Sequence, residues 1–184
     1  DCLTQLLEEE GIQPHEIDSI HVYIEGFAEQ PAWLSRNITN LTDAQFSTAH
    51  SMAVAAHRPA TARAWQDPEL VFSRSVMDLM ARVKTEVHPD YAKLLAANRA
   101  SRPAHLKLRA RGRDYLLEKQ YPKGSPSPDA STSMQDSEMQ QKFRDNAQGT
   151  LSASATEQAI ETIMNLETLK DTGQLMRLLA GGAA

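Results

Sequence analysis

The chain has 184 residues, 41% hydrophobic and 23% charged, with 19 Lys and Arg against 24 Asp and Glu and a formal charge of −5. That length suits one domain with a real core, about 70% of its unfolded surface buried. No apolar run approaches the roughly 18 residues of a membrane helix, and an acidic balance argues against general nucleic-acid binding, which draws on a basic surface. Cys2 is the only cysteine, so no internal disulfide forms and a reducing, cytoplasmic setting is the default expectation.

The chain opens on Asp1 with a helix already under way and no signal-peptide pattern, which reads as a piece of a longer polypeptide. From Asp1 to Glu10, Leu3, Leu6 and Leu7 recur at helical spacing, and Gly11 stops them as a C-terminal cap. Ile17 to Glu25 alternates, with Ile20, Val22 and Ile24 on one face and Ser19, His21, Tyr23 and Glu25 on the other: a half-buried strand. Gly26 to Leu41 has no period and reads as a long loop. The run Thr42-Asp43-Ala44-Gln45 has the form of a capping box and predicts a helix to about His57.

Asp67-Pro68 opens another helix, to about Ala81. Val83, Thr85 and Val87 alternate as a short strand ended by Pro89, and Ala104 to Tyr121 reads as a hairpin turning at Arg111-Gly112-Arg113. Beyond a Pro/Ser-rich loop, Met139, Phe143 and Ala147 mark the buried stripe of one helix. Ser154-Ala155-Thr156-Glu157 opens the next as a capping box, with Ile160, Ile163, Met164 and Leu166 following, and Leu175, Leu178 and Leu179 form a last helix before Gly181-Gly182. This order predicts a single α+β domain over residues 1–184, a small antiparallel sheet covered by helices, because the hairpin leaves no room for a crossover.

His50 is the candidate catalytic residue. On a continuous helix from Thr42, Phe46, His50, Ala53 and His57 share one face, and a histidine there can donate to a carboxylate and move protons near neutral pH. The alternative is that His50 and His57 are satisfied structural histidines. Ser47 and Arg36 are candidate substrate-binding residues. A loop guanidinium suits a bidentate grip on a carboxylate, whereas the bland readings are a hydroxyl bonded back to a helix carbonyl and an exposed surface arginine. Lys107, Arg109, Arg111, Arg113, Lys119 and Lys123 around the hairpin read as a solvated face. The chain has no G-x-S-x-G, H-E-x-x-H, P-loop or cysteine pair, and His50 and His57 are two turns apart, too far for an adjacent-turn metal site. No cofactor or metal is implied.

Two blocks carry a resemblance. Tyr121 to Phe143, YPKGSPSPDASTSMQDSEMQQKF, is similar to the C-terminal signature of the MmgE/PrpD family, in which a strand leads into G-x-P, a Pro/Ser-rich loop, an acidic helix start and then Lys-Phe. Upstream, Thr42 to Ala56, TDAQFSTAHSMAVAA, resembles that family's helix reading roughly A-x-F-S-x-x-Y-x-x-A. The family contains 2-methylcitrate dehydratase, cis-aconitate decarboxylase and iminodisuccinate epimerase. The resemblance therefore implies chemistry beside a carboxylate of a small di- or tricarboxylic acid, without metal, a hydro-lyase first and an epimerase or decarboxylase behind it. His50 stands where the family places a tyrosine that faces the cleft between two domains.

The resemblance covers nearly all of this chain but only the C-terminal part of the family's length. It thus implies an absent N-terminal helical domain as partner, an isolated chain without activity, and a homo-oligomer at full length. A noncatalytic binding or assembly module that keeps the lid fold is the rival reading. A lid without its partner exposes an interdomain patch, expected here around the small-residue face of Ala49, Ala53 and Ala56.

Overall fold

The computed structural model describes residues 1–60 and 63–181, so Gly182 of the final glycine pair lies outside the described residues. The chain divides into two compact units, one made of Asp1–Pro59 with Ala64–Ser133 and the other of Ala60–Arg63 with Met134–Ala184. Among the described residues no helix is long and apolar enough to cross a membrane.

The first unit is built on four strands, β1 (Ile17–Ile24), β2 (Val83–Val87), β3 (Ala104–Ala110) and β4 (Arg113–Lys119), in the order β2-β1-β3-β4. The α+β class holds, but the sheet is mixed. β1 pairs antiparallel with β3, and β3 with β4, while β1 and β2 run parallel, Ile20 beside Val83 and Ile24 beside Val87. The expectation of a wholly antiparallel sheet rested on the hairpin alone. The helical segment between Ile24 and Val83 supplies the crossover that a parallel pair needs.

Strand alternation sets the core. Ile17, Ile20 and Val22 of β1, Val83 of β2, and Leu106, Leu108 and Ala110 of β3 are all buried. Against them pack Leu3, Leu6 and Leu7 of α1 (Cys2–Glu9) and Ala53, Val54 and Ala56 of a helix described below. The opposite sheet face is polar: His21 Nε2 meets Glu86 Oε2 at 2.5 Å, and the Lys107 ammonium sits 5.1 Å from the centre of the Tyr23 ring. At the hairpin tip Arg111 and Gly112 both take positive φ, 52° and 70°, the left-handed pair that lets a two-residue turn follow the strand twist. Arg111 holds that conformation without glycine's freedom, its guanidinium donating to both Glu16 carboxylate oxygens and to the Glu10 and Gly11 carbonyls.

The segment read as a long loop contains a 3-10 turn (Gly26–Glu29) and one turn of α-helix, α2 (Pro31–Leu34). Trp33 of α2 braces it, edge-on to Phe27 at 4.7 Å and to Phe46 at 5.8 Å. The helix predicted from Thr42 to His57 is two helices, α3 (Leu41–Phe46) and α4 (Thr48–Ala56), parted by Ser47 in an extended conformation. Its first cap is Asn40 rather than Thr42: the Asn40 side chain accepts from the Asp43 amide at 3.0 Å. The helix predicted from Pro68 is likewise split into α5 (Pro68–Val71) and α6 (Arg74–Met80), the second capped by Ser73. A further helix, α7 (Tyr91–Ala97), lies between β2 and β3.

The second unit holds α8 (Asp136–Ala147), α9 (Ala153–Met164) and α10 (Gly173–Leu179), with α9 in contact with both others. Arg144 of α8 donates to both oxygens of Glu157 on α9, at 2.6 and 2.9 Å. The cap of α9 is Ser152, two residues before the predicted box, accepting from the Ala155 amide. The predicted stripes are buried only in part: Ala147, Thr156, Ala159 and Ile160 are inside, whereas Met139, Ile163, Met164 and Leu166 are exposed.

Candidate functional site

A cavity of about 150 Å³ opens beside the α3–α4 break. Leu41, Ala44, Val54, Trp65 and Val71 give it apolar walls, and Gln45, His50, Ser51 and Gln66 supply the polar atoms. Neither lysine nor arginine is among these lining residues. Leu41 and Trp65 are themselves 39% and 38% exposed, and Phe46 and Phe72 near them in sequence are 44% and 42% exposed, so the unit carries exposed large apolar side chains around this segment.

The break in the helix is what places the histidine. Ser47 is fully buried; its hydroxyl donates to the Ser35 carbonyl at 2.6 Å and accepts from the His50 amide at 3.3 Å, capping α4. That geometry turns His50 away from the face it would share with Phe46 on a continuous helix: His50 is 1% exposed and Phe46 44%. The His50 ring nitrogen Nε2 lies 2.9 Å from the Val71 carbonyl oxygen. A carbonyl only accepts, so Nε2 carries the proton and, in the neutral ring, Nδ1 keeps its lone pair. His57 is committed at both nitrogens, Nδ1 to the Ala53 carbonyl and Nε2 to the Ser75 hydroxyl, each at 2.8 Å.

Arg36 is placed elsewhere in the unit. Its guanidinium donates to the Met80 carbonyl at 2.6 Å and to the Val83 carbonyl, tying the segment before α3 to the end of α6 and the start of β2. Of the three predicted site residues, the structure thus brings His50 and Ser47 together, through a backbone amide, and engages Arg36 with main-chain carbonyls. Asp43, in the first turn of α3, is a local organiser: hydrogen bonds from the Thr39 hydroxyl and amide hold its carboxyl below the usual range.

Gln45, Ser51, Trp65 and Gln66 were not singled out from the sequence. Gln45 and Ser51 lie within the recognisable block, Gln45 read there only as part of a capping box and Ser51 without a spacing signal of its own. Trp65 and Gln66 arrive on a 3-10 turn, Ala64–Gln66, whose place beside α4 is a tertiary fact. Two of the basic residues of the hairpin are engaged in ion pairs, Arg109 with Asp114 at 3.0 Å and Arg111 with Glu16 at 2.5 Å. Among the described residues no three His, Cys, Asp or Glu side chains group as a metal holder.

The small-residue face expected to be an exposed patch is buried, with Ala49 at 5% and Ala53 and Ala56 at 0% exposure. Small side chains are what let α4 approach the other elements of its own unit closely, so any interdomain surface lies elsewhere.

A family model described as the MmgE/PrpD C-terminal domain matches residues 1–168. The match takes in the His50 block, the whole sheet, and α8 and α9. No curated protein matches the chain.

Proposed function

The chain belongs to the MmgE/PrpD family as its C-terminal domain, and on that premise we propose that it forms one wall of an active site where a proton is removed beside a carboxylate of a small di- or tricarboxylic acid. Loss of water is the reaction we put first, with epimerisation or decarboxylation of the same substrate class as the alternative. In the dehydration, the C–H proton passes to a base, the electron pair forms the new carbon–carbon double bond, and the C–O bond to the leaving hydroxyl breaks as that oxygen takes a proton and departs as water.

The observation that carries this reading is the state of His50. It stands on the family's own block, lines the cavity, and is fixed at Nε2 by Val71, which leaves Nδ1 as the basic nitrogen. Ser47 serves the site by capping the helix that carries His50; for it or Arg36 to grip a carboxylate directly, the hydrogen bonds to Ser35, or to Met80 and Val83, would have to be released. A cavity lined without lysine or arginine cannot neutralise two or three substrate carboxylates. Those cations then belong to the family's N-terminal part, and this chain by itself is expected to show no turnover.

A noncatalytic module is the second reading, favoured by the near-complete burial of His50. Two variants separate them in the complete enzyme. His50→Phe removes the base and the donor to Val71, while His50→Gln keeps an N–H donor and removes the base. The catalytic reading expects turnover to fall about a hundredfold or more in both, with the melting curve of His50→Gln close to that of the parent. Activity restored in His50→Gln would assign the histidine to structure.

A further inference from the structure

The cavity beside His50 is lined for something other than a carboxylate. Its sheltered side is made of small aliphatic residues, Ala44, Val54 and Val71, at 6%, 2% and 1% exposure, and its open side of Leu41 and Trp65, at 39% and 38%. Besides His50, the polar residues on it are Gln45, Ser51 and Gln66. All three are uncharged, and among the described residues none of their side chains makes a hydrogen bond. A carboxylate drawn inside would give up its water without meeting a cation, which is costly. An apolar group would instead gain by leaving water. At about 150 Å³ the space is also far larger than a methyl group fills; an engineered apolar cavity of about that volume takes up benzene.

We propose that this cavity is the subsite for an apolar substituent of the substrate, of about four to six carbons, butyl to phenyl in size, attached beside the carbon that loses its proton. The inference rests on the catalytic reading of His50 and narrows its substrate class to di- or tricarboxylic acids that carry such a side chain. The substituent enters on the side of Leu41 and Trp65 and lies against Val54 and Val71. The carboxylates stay outside, where cations from the rest of the enzyme reach them. At the exposed rim the amides of Gln45 and Gln66 can take a hydroxyl or a single carboxylate oxygen. Anchoring the side chain in this way holds the neighbouring C–H bond beside the His50 ring, whose free nitrogen is the base. Val71 then serves twice, its carbonyl orienting His50 and the residue itself lining the subsite.

The binding test needs no turnover. Succinic acid and its 2-methyl, 2-butyl, 2-phenyl and 2-decyl derivatives are titrated into the 184-residue chain, and the amide shifts of Val54 and Val71 read binding. Affinity should rise about fourfold per methylene up to the butyl and phenyl acids, and the decyl acid should gain nothing further. Trp65→Ala, at a partly exposed position, should weaken the butyl and phenyl acids about tenfold and the methyl acid less than about twofold. Ala44→Val takes up part of the space and should move the optimum to a shorter chain; should overpacking unfold it, Trp65→Ala still decides. No binding, an affinity indifferent to the substituent, or a gain that continues to decyl and ignores Trp65→Ala overturns the subsite. The reaction is read separately, by supplying malic acid and its 3-methyl, 3-butyl and 3-phenyl derivatives to the complete enzyme. Turnover of malic acid in preference to the butyl and phenyl acids overturns the subsite and leaves the reaction standing. Binding in the expected order with no turnover of any member does the reverse.

Discussion

The sheet unit closes a core, with Leu7, Ile20 and Leu106 all at 0% exposure under α1, α4 and the strands themselves, while Phe46, Phe72 and Leu116 stand 42–65% exposed outside it. In the helical unit the same kinds of residue, Ile163, Met164 and Leu166, stand 41–48% exposed at the end of a stripe that begins buried. The two units draw on one chain with one overall composition, so the difference does not come from hydrophobicity. It comes from closure. A sheet with helices laid on one face completes a core within its own residues, whereas three short helices present more apolar surface than they can mutually cover.

The largest expected effect tests closure directly. Leu106→Ala deletes a fully buried side chain from β3 and should cost about 2–5 kcal/mol through lost burial and the cavity left behind. Ile163→Ala in the 184-residue chain should stay within about 0.5 kcal/mol, as for an exposed position. Chemical denaturation of both variants reads the contrast. Comparable losses would mean that the helical unit is as closed as the sheet unit, and the comparison would fail.

What was legible in the sequence follows the same divide. The alternation of Ile20, Val22 and Ile24 announced β1, and the Arg111-Gly112 pair announced the hairpin, because strand period and turn chemistry are local. The parallel pairing of β2 was not legible, since its direction is set by the route of the chain from Ile24 to Val83. The Thr42 box failed because Asn40, two residues earlier, makes the bond to Asp43, and the continuous helix failed because Ser47 finds the Ser35 carbonyl from a distant loop. His50 was found from the block it sits in, but its orientation followed from that break. The small-residue face was misjudged as an outer surface. Alanine on a helix signals close approach, and periodicity does not say to what.

Two serine caps carry the comparison to a smaller scale. Ser47 caps α4 while fully buried and also donates to the Ser35 carbonyl; Ser152 caps α9 in the open, 3.1 Å from the Ala155 amide. Ser47→Ala loses the cap and leaves the Ser35 carbonyl without its donor, so about 2 kcal/mol is expected, against about 1 kcal/mol for Ser152→Ala. Equilibrium unfolding of the two variants measures the gap. If Ser152→Ala proves the costlier, the outer helix depends on its own cap more than the inner one does, contrary to the burial argument.

The smallest effect is electrostatic, and it should have the same sign in both units. Glu16 is held down to about 2 by the side-chain hydrogen bond from Arg111, helped by the Gln13 amide, and Glu157 is lowered by Arg144. A carboxyl whose folded-state value lies below its unfolded value of about 4.3 contributes stability above that value and loses it as pH falls toward the folded one. For Glu16 the window runs from about 4.3 down to about 2. Both pairs are partly exposed, so each contribution is modest and screened by salt. Glu16→Gln and Glu157→Gln should therefore melt slightly below the parent at pH 7 and in low salt, and the gap should close as pH is lowered through that window. In the sheet unit the Arg111 guanidinium also holds the Glu10 and Gly11 carbonyls, bonds that survive protonation of Glu16, so the loss on acidification should be smaller there than the one Arg111→Ala produces at pH 7. In the helical unit the Arg144–Glu157 pair ties the α8 and α9 side chains together, and acid should loosen their contact first. Amide exchange at pH 3 and pH 5, followed separately in α1 and α9, reads this order, and earlier loss of protection in α1 would reverse it.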